Sequence, residues 1–101
     1  MNINIFGSTG QIGSKSLKLL ENNFPNIHIN LLLADKNYKK IIKQSHKYKP
    51  KYICLKDESN INIVIKKKFK NSKIIYIKNL NDYIAKSKSD LTILSIAGYE
   101  S

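Results

Sequence analysis

Arginine and tryptophan are missing from this chain of 101 residues, cysteine and methionine occur once each, and proline occurs twice. The lack of arginine matters because all eighteen basic residues are then lysine. Arginine is the main bidentate reader of guanine edges and the better phosphate clamp, so a net charge of +11 without it argues against a nucleic-acid reader. Lys, Asn and Ile, which crowd the sequence, are the residues that A+T-rich codons specify, and base composition accounts for the lysines without a polyanionic partner. The run Lys66-Lys67-Lys68 with Lys70 reads as the solvated end of a helix, where cations also suit the dipole. The single Cys54 excludes an internal disulfide, and its neighbours Ile53 and Leu55 mark it as a buried, inert thiol. No apolar run approaches the roughly 20 residues that span a membrane. With a strand starting at once and no room for a secretory leader, a cytoplasmic protein is expected. Acidic residues are few: Glu21, Asp35, Asp57, Glu58, Asp82, Asp90 and Glu100. No two share a spacing that would bring them together on a metal, so neither a catalytic nor a metal-ligating set is expected within residues 1–101.

Three of the four glycines fall within seven residues. The chain opens Ile3-Asn4-Ile5-Phe6-Gly7-Ser8-Thr9-Gly10-Gln11-Ile12-Gly13. Apolar residues alternating with asparagine read as a buried or half-buried strand, and Leu17, Leu19 and Leu20 beyond the glycines fall at helical spacing. The glycines therefore occupy a strand-to-helix turn. Such a turn brings the backbone close to a dinucleotide pyrophosphate and presents helix N-terminal N–H groups to it. The spacing G-x-x-G-x-x-G departs from the commoner G-x-G-x-x-G, and a ligand-free glycine turn is the plain alternative.

The remainder alternates strands with amphipathic helices. Asn22-Asn23 and Pro25 end the first helix, and Ile27–Leu33 reads as strand two. Asn37 caps a helix through Lys47, with Ile41, Ile42 and Ser45 inward and Pro50 beyond it. Tyr52–Leu55 forms strand three. A helix from Asp57 or Ser59 runs to Phe69 with Ile61, Val64, Ile65 and Phe69 inward. Lys73–Ile77 is strand four, Asn81–Lys86 a short helix, and Leu91–Ile96 strand five. Helices of this length between strands imply parallel pairing through right-handed crossovers. The expected fold is α/β: a Rossmann-like, doubly wound, mainly parallel five-stranded sheet, helices on both faces, strand one central, one domain over residues 1–101.

Ligands of such sheets lie at the C-terminal strand ends. After strand two comes Ala34-Asp35-Lys36-Asn37. Asp35 stands 22 positions beyond Gly13, close to the roughly 20 expected for the acid that holds the ribose 2′-hydroxyl of NAD. Lys36 and Asn37 instead suit the 2′-phosphate of NADP, by charge and hydrogen bonding. Asp35 and Asn37 also suit a mere turn and helix cap. Ala97-Gly98, after strand five, offers a second point of close backbone approach.

These segments together resemble the N-terminal part of the 1-deoxy-D-xylulose 5-phosphate reductoisomerase family. Gly7-Ser8-Thr9-Gly10-Gln11-Ile12-Gly13 is similar to that family's G-S-T-G-S-I-G, with Gln11 in place of serine. Ala34-Asp35-Lys36-Asn37 resembles A-G-[KR]-N, Tyr48–Leu55 resembles F-x-P-x-Y-V followed by Asp57-Glu58, and Asp90–Gly98 resembles D-x-V-x-x-A-I-V-G. The resemblance implies NADPH as cofactor, with Thr9, Gly10, Gln11 and Ile12 on its pyrophosphate and Lys36 and Asn37 on its 2′-phosphate. Asp35 replaces a glycine there and bears on cofactor choice. The resemblance further implies an enzyme that isomerises and reduces a sugar phosphate in non-mevalonate isoprenoid biosynthesis. It implies a divalent metal (Mg2+ or Mn2+) and a homodimer for the full enzyme, with the metal and substrate residues beyond Ser101. Residues 1–101 are thus expected to bind the cofactor and carry no chemistry alone. The competing expectation is a stand-alone dinucleotide-sensing or structural module.

Overall fold

A computed structural model describes residues 2–86 and 90–94. Five parallel strands, β1 (Asn2–Phe6), β2 (His28–Ala34), β3 (Tyr52–Leu55), β4 (Lys73–Ile75) and β5 (Leu91–Leu94), form one sheet in the order β4-β3-β2-β1-β5. Between them lie α1 (Gln11–Asn23), α2 (Tyr38–Tyr48), α3 (Ile61–Lys66) and α4 (Leu80–Lys86). The fold is the Rossmann-like α/β arrangement expected. β1 is flanked on both sides, by β2 and β5, and β2 holds the middle position.

The chain winds from β1 to β4 with α1, α2 and α3 on one face, then returns beneath the sheet through α4 to pair β5 with β1. Two apolar layers follow. Ile3, Ile5, Ile29, Leu32, Ile53 and Leu55 meet Leu17 of α1, Ile41 of α2 and Val64 of α3. On the other face Leu31, Leu33, Cys54 and Ile75 meet Leu80, Tyr83 and Ile84 of α4. Ile3 and Ile5 are fully buried, and each contributes about 2 kcal/mol by leaving water.

Because both faces are covered, the asparagines of β1 are not all on a wet side. Asn4 is buried and its Oδ1 accepts from Nδ2 of buried Asn30 at 2.8 Å. Asn30 sits where the β1–β2 register shifts between Ile3 and Asn4, an irregularity that places one extra residue in β2.

Several expectations on individual residues change. Leu17 is buried but Leu19 is 62% exposed, since α1 presents only a narrow stripe to the sheet. The helix expected from Asp57 or Ser59 to Phe69 is a 3-10 turn at Glu58–Asn60 followed by α3, ending at Lys66. Lys67 and Lys68 donate to carbonyls three residues back, and Lys68 then turns left-handed at φ 48°. Phe69 still reaches the core from the loop, its ring 4.7 Å from that of His46, whereas Ile65 faces outward. β4 stops at Ile75 rather than Ile77: the Ile77 N–H donates to Glu58 Oε2 at 3.0 Å, and the chain enters a 3-10 turn at Ile77–Asn79. Strand five is described through Leu94, and the remainder of its expected span, with Ala97 and Gly98, lies outside the described residues.

Candidate dinucleotide site

The site is built at the C-terminal ends of β1 and β2. After Phe6 the chain leaves the sheet at Gly7, whose φ of 87° lies in the left-handed region that favours glycine. The N–H groups of Gly7 and Ser8 both donate to the Leu33 carbonyl, at 2.7 and 3.1 Å, which ties the turn to the end of β2. Gly10 N–H returns to Gly7 O at 3.1 Å.

Gly13 is constrained by space. A Cβ built there would lie 2.1 Å from Gly7 O and 2.8 Å from both Gly7 C and Ser8 Cα. All three are backbone atoms, so the third glycine is what lets α1 pack onto its own turn. Gly10 has φ −74° and ψ 172°, ordinary extended backbone at the helix N-cap. Having no side chain, it supplies no cap, and the first turn of α1 carries no acid. Gln11 and Ile12 are exposed there and Thr9 is half-buried, while Ser8 is fully buried. The positive end of α1 is thus left to whatever anion approaches.

The second loop follows β2 on the same edge. Asp35, Lys36 and Asn37 are all exposed. The Ala34 and Asp35 carbonyls accept from Lys56 and Asp57 N–H at 2.8 and 2.9 Å, so the loop is pinned to the end of β3. Asn37 caps α2 as expected, its Oδ1 accepting from Lys40 N–H at 3.1 Å. The Ser59 hydroxyl and N–H, which donate to Asp57, hold its carboxyl below its ordinary range, with the charge of Lys36 a lesser cause. The two sequence segments therefore share one edge, joined through Leu33.

One residue of this site was not singled out in the sequence. Gln44 of α2 is 8% exposed, and its Nε2 donates to the Ser8 carbonyl at 2.7 Å. Ser14 Oγ donates to the same carbonyl at 3.2 Å. The available signal was helical spacing: Gln44 stands three after Ile41 and beside Ser45, so a polar side chain faces inward on an otherwise apolar stripe. Cys54 lies in the second apolar layer, and burial, with Glu58 as a lesser cause, pushes its thiol up to about 12. Among the described residues no three His, Cys, Asp or Glu side chains come together, and no helix is long and apolar enough to cross a membrane.

Known proteins share this arrangement. The family model for 1-deoxy-D-xylulose 5-phosphate reductoisomerase matches residues 3–101. The curated enzyme of that name from Pelagibacter ubique (strain HTCC1062) is 34% identical over 102 residues, covering 97% of this chain and 26% of that relative. The one from Clostridium tetani (strain Massachusetts / E88) is 29% identical, with coverages of 96% and 26%. A solved structure of DOX-P reductoisomerase in complex with NADPH, fosmidomycin and magnesium superposes with a TM-score of 0.83 at 19% identity, over 95% of this chain and 24% of that one. The Zymomonas mobilis enzyme in complex with NADPH gives 0.77 at 22% identity, over 90% and 24%. The chain spans about a quarter of the length of the curated relatives it matches. On this match across nearly its whole length, the chain belongs to the 1-deoxy-D-xylulose 5-phosphate reductoisomerase family.

Proposed function

We propose that this chain is the NADPH-binding portion of a 1-deoxy-D-xylulose 5-phosphate reductoisomerase. The observation that carries the reading is the turn between β1 and α1. It is packed so closely that Gly13 has no room for a Cβ, and it leaves α1 without a capping side chain. Such a turn offers N–H groups and a helix dipole, which recognise a pyrophosphate without needing cationic side chains. Relatives whose structures contain NADPH share the fold.

In this reading Gly7, Ser8 and Gly13 shape the turn, and Thr9, Gly10, Gln11 and Ile12 meet the pyrophosphate. Lys36 and Asn37 meet the adenosine 2′-phosphate. Asp35 opposes them: a carboxylate about 4 Å from a phosphate costs up to about 4 kcal/mol per unit charge at an effective dielectric of 20. Its exposure lets water and salt reduce that cost. NADPH, when bound, supplies a hydride. The protein's activity would be the isomerisation and reduction of 1-deoxy-D-xylulose 5-phosphate to 2-C-methyl-D-erythritol 4-phosphate, in the cytoplasm, by a homodimer. The described residues bring together no donor set for the divalent metal (Mg2+ or Mn2+), so no step through a metal is assigned to them. Their part is to bind and orient the cofactor, as a single domain over residues 1–101.

Calorimetric titration with NADPH tests the site. Binding is expected, and Gly10→Val weakens it at least about tenfold by obstructing the approach to the pyrophosphate. Equal affinity in both proteins removes the glycine turn from the site. Supplied with NADPH, Mg2+ and 1-deoxy-D-xylulose 5-phosphate, the chain alone leaves NADPH unoxidised. Oxidation appears once sequence matching the rest of the relatives' length is joined to it. Substrate-dependent oxidation by the 101 residues alone overturns the division of labour. Binding without turnover in the joined protein favours a dinucleotide-sensing module instead.

A further inference from the structure

Gln44 belongs to the helix that follows the second loop, yet its amide ends in the first. Its Nε2 lies 2.7 Å from the Ser8 carbonyl oxygen and 3.4 Å from Ser14 Oγ, and Ser14 Oγ itself donates to Ser8 O at 3.2 Å. One carbonyl of the glycine turn is therefore held by two donors, one from α1 and one from α2. Ser8 is fully buried and Gln44 nearly so, so the bond between them is shielded from water, while those of Ser14 are only partly so. Nothing in the local turn requires this: Gly7, Ser8 and Gly10 N–H groups already satisfy the turn through Leu33 O and Gly7 O.

The consequence follows from the planarity of the peptide unit. No cis peptide occurs among the described residues, and in a trans unit the carbonyl and the next N–H point in opposite directions. With the Ser8 carbonyl drawn inward onto Gln44, the Thr9 N–H points the other way, out of the core. Half-buried Thr9 leads into the exposed stretch Gly10, Gln11 and Ile12. Without the buried donor, the Ser8–Thr9 peptide loses its stronger anchor and is free to rotate about its flanking bonds.

We infer that Gln44 is a positioning residue for the dinucleotide site: it fixes the Ser8–Thr9 peptide so that the Thr9 N–H faces the pyrophosphate. It also ties the pyrophosphate turn to α2, whose N-terminus carries Lys36 and Asn37, and so sets the spacing between the two phosphate contacts. The inference rests on the NADPH reading above. Neither a carboxylate nor an apolar side chain replaces this amide. Glu at this position replaces the donor by a carboxylate facing a carbonyl, and Leu keeps the volume but removes the bond.

The test is a titration of the isotopically labelled chain with NADPH and, separately, with adenosine 2′-monophosphate, followed by amide chemical shifts. In the wild type, NADPH shifts the Thr9, Gln11 and Ile12 amides together with Lys36 and Asn37. In Gln44→Leu the NADPH dissociation constant rises about tenfold, the worth of one buried hydrogen bond, and the Thr9 amide no longer responds. Adenosine 2′-monophosphate, which has no pyrophosphate, binds wild type and variant within about twofold of each other, whereas general destabilisation would weaken both ligands alike. Should Gln44→Leu fail to give a dispersed spectrum, Ser14→Ala removes the weaker donor, and with it the second acceptor of the Gln44 amide, and is expected to weaken NADPH two- to threefold, within the range of a single neutral bond. Wild-type NADPH affinity and an unchanged Thr9 response in both variants overturn the positioning role while leaving the nucleotide site intact. Absence of any wild-type shift at Thr9–Gly13 overturns the nucleotide reading itself, and this inference with it.

Discussion

The turns after β1 and β2 lie side by side on one edge of the sheet, and both lead directly into a helix, yet the two helices begin differently. α2 is closed by its own Asn37, whose side chain accepts from Lys40 N–H. α1 begins at a glycine with suitable N-cap backbone and no side chain to use it. A third start, after β3, is closed by Asp57, which accepts from both the N–H and the hydroxyl of Ser59. The starts at Asn60, before α3, and at Tyr76, before the 3-10 turn at Ile77–Asn79, also lack a side-chain cap; what sets α1 apart is that its open cap adjoins a turn packed too closely for a Cβ at Gly13. An open N-cap alone is unremarkable; joined to a close-packed glycine turn it leaves the first N–H groups of α1 open to an anion.

The comparison can be broken at its tightest point. Gly13→Ala should lose about 3 kcal/mol or more in urea unfolding, because the new methyl meets backbone atoms that cannot move aside independently. A loss under about 1 kcal/mol would mean that α1 slides easily on its turn, and the close approach would no longer be a constraint. Filling the vacated cap separates stability from binding. Gly10→Asp has the right backbone for an N-cap, so its stability should stay within a few tenths of a kcal/mol of wild type, or rise. Its NADPH affinity should fall about a hundredfold, since a carboxylate then occupies the place proposed for the pyrophosphate. Unaltered affinity would show that the anion does not sit at α1.

Emptying the occupied cap is the reciprocal change. Asn37→Ala should cost about 1 kcal/mol of stability by urea unfolding, as loss of a side-chain cap usually does. In the same loop, Asp35→Gly should raise the NADPH-to-NADH affinity ratio by up to about tenfold, and Lys36→Ala should lower it several-fold. A wild type that prefers NADH would assign Asp35 to the ribose hydroxyl instead.

The smallest effect distinguishes the Asn and Asp caps by pH. The Ser59 hydroxyl and N–H hold the Asp57 carboxyl below its ordinary value, with Lys36 as a lesser cause. A group whose folded value is lowered stabilises fully above the unfolded value, and that contribution disappears as pH falls through the folded one. The Asp57 cap should therefore be intact at neutral pH and weaken below about pH 4, while the Asn37 cap is indifferent to pH. Melting followed from pH 6 to pH 3 in wild type and Asp57→Asn should converge at the acid end. A constant gap would remove the charge from the account.

Much of this was legible from residue order. Alternating apolar runs located all five strands, and the cap Asn37 was visible, as was Asp57 with Ser59 as its alternative, because a short polar side chain before an apolar stripe suits a helix start. The glycine turn was legible for the same reason, glycine being tolerated where a side chain is not. What went wrong had a common origin. Ile65 and Leu19 lie beside true core positions on their helices, and spacing alone does not say how wide a stripe the sheet will accept. α3 and β4 are shorter than their apolar runs suggest because their ends are set by Lys68 turning left-handed and by Glu58 taking the Ile77 amide, the latter a contact across 19 residues.

Local chemistry by itself determined the alternation of elements, the glycine turn and the kind of ligand that turn suits, since each depends on neighbours within a few residues. Tertiary structure alone decided that Asn4 and Asn30 are buried against each other and that Gln44 of α2 grips a carbonyl of the first turn. Both contacts join residues 26 or more positions apart. A buried amide needs a partner, and which group supplies it is settled only when strands and helices are brought together by burial of their apolar faces.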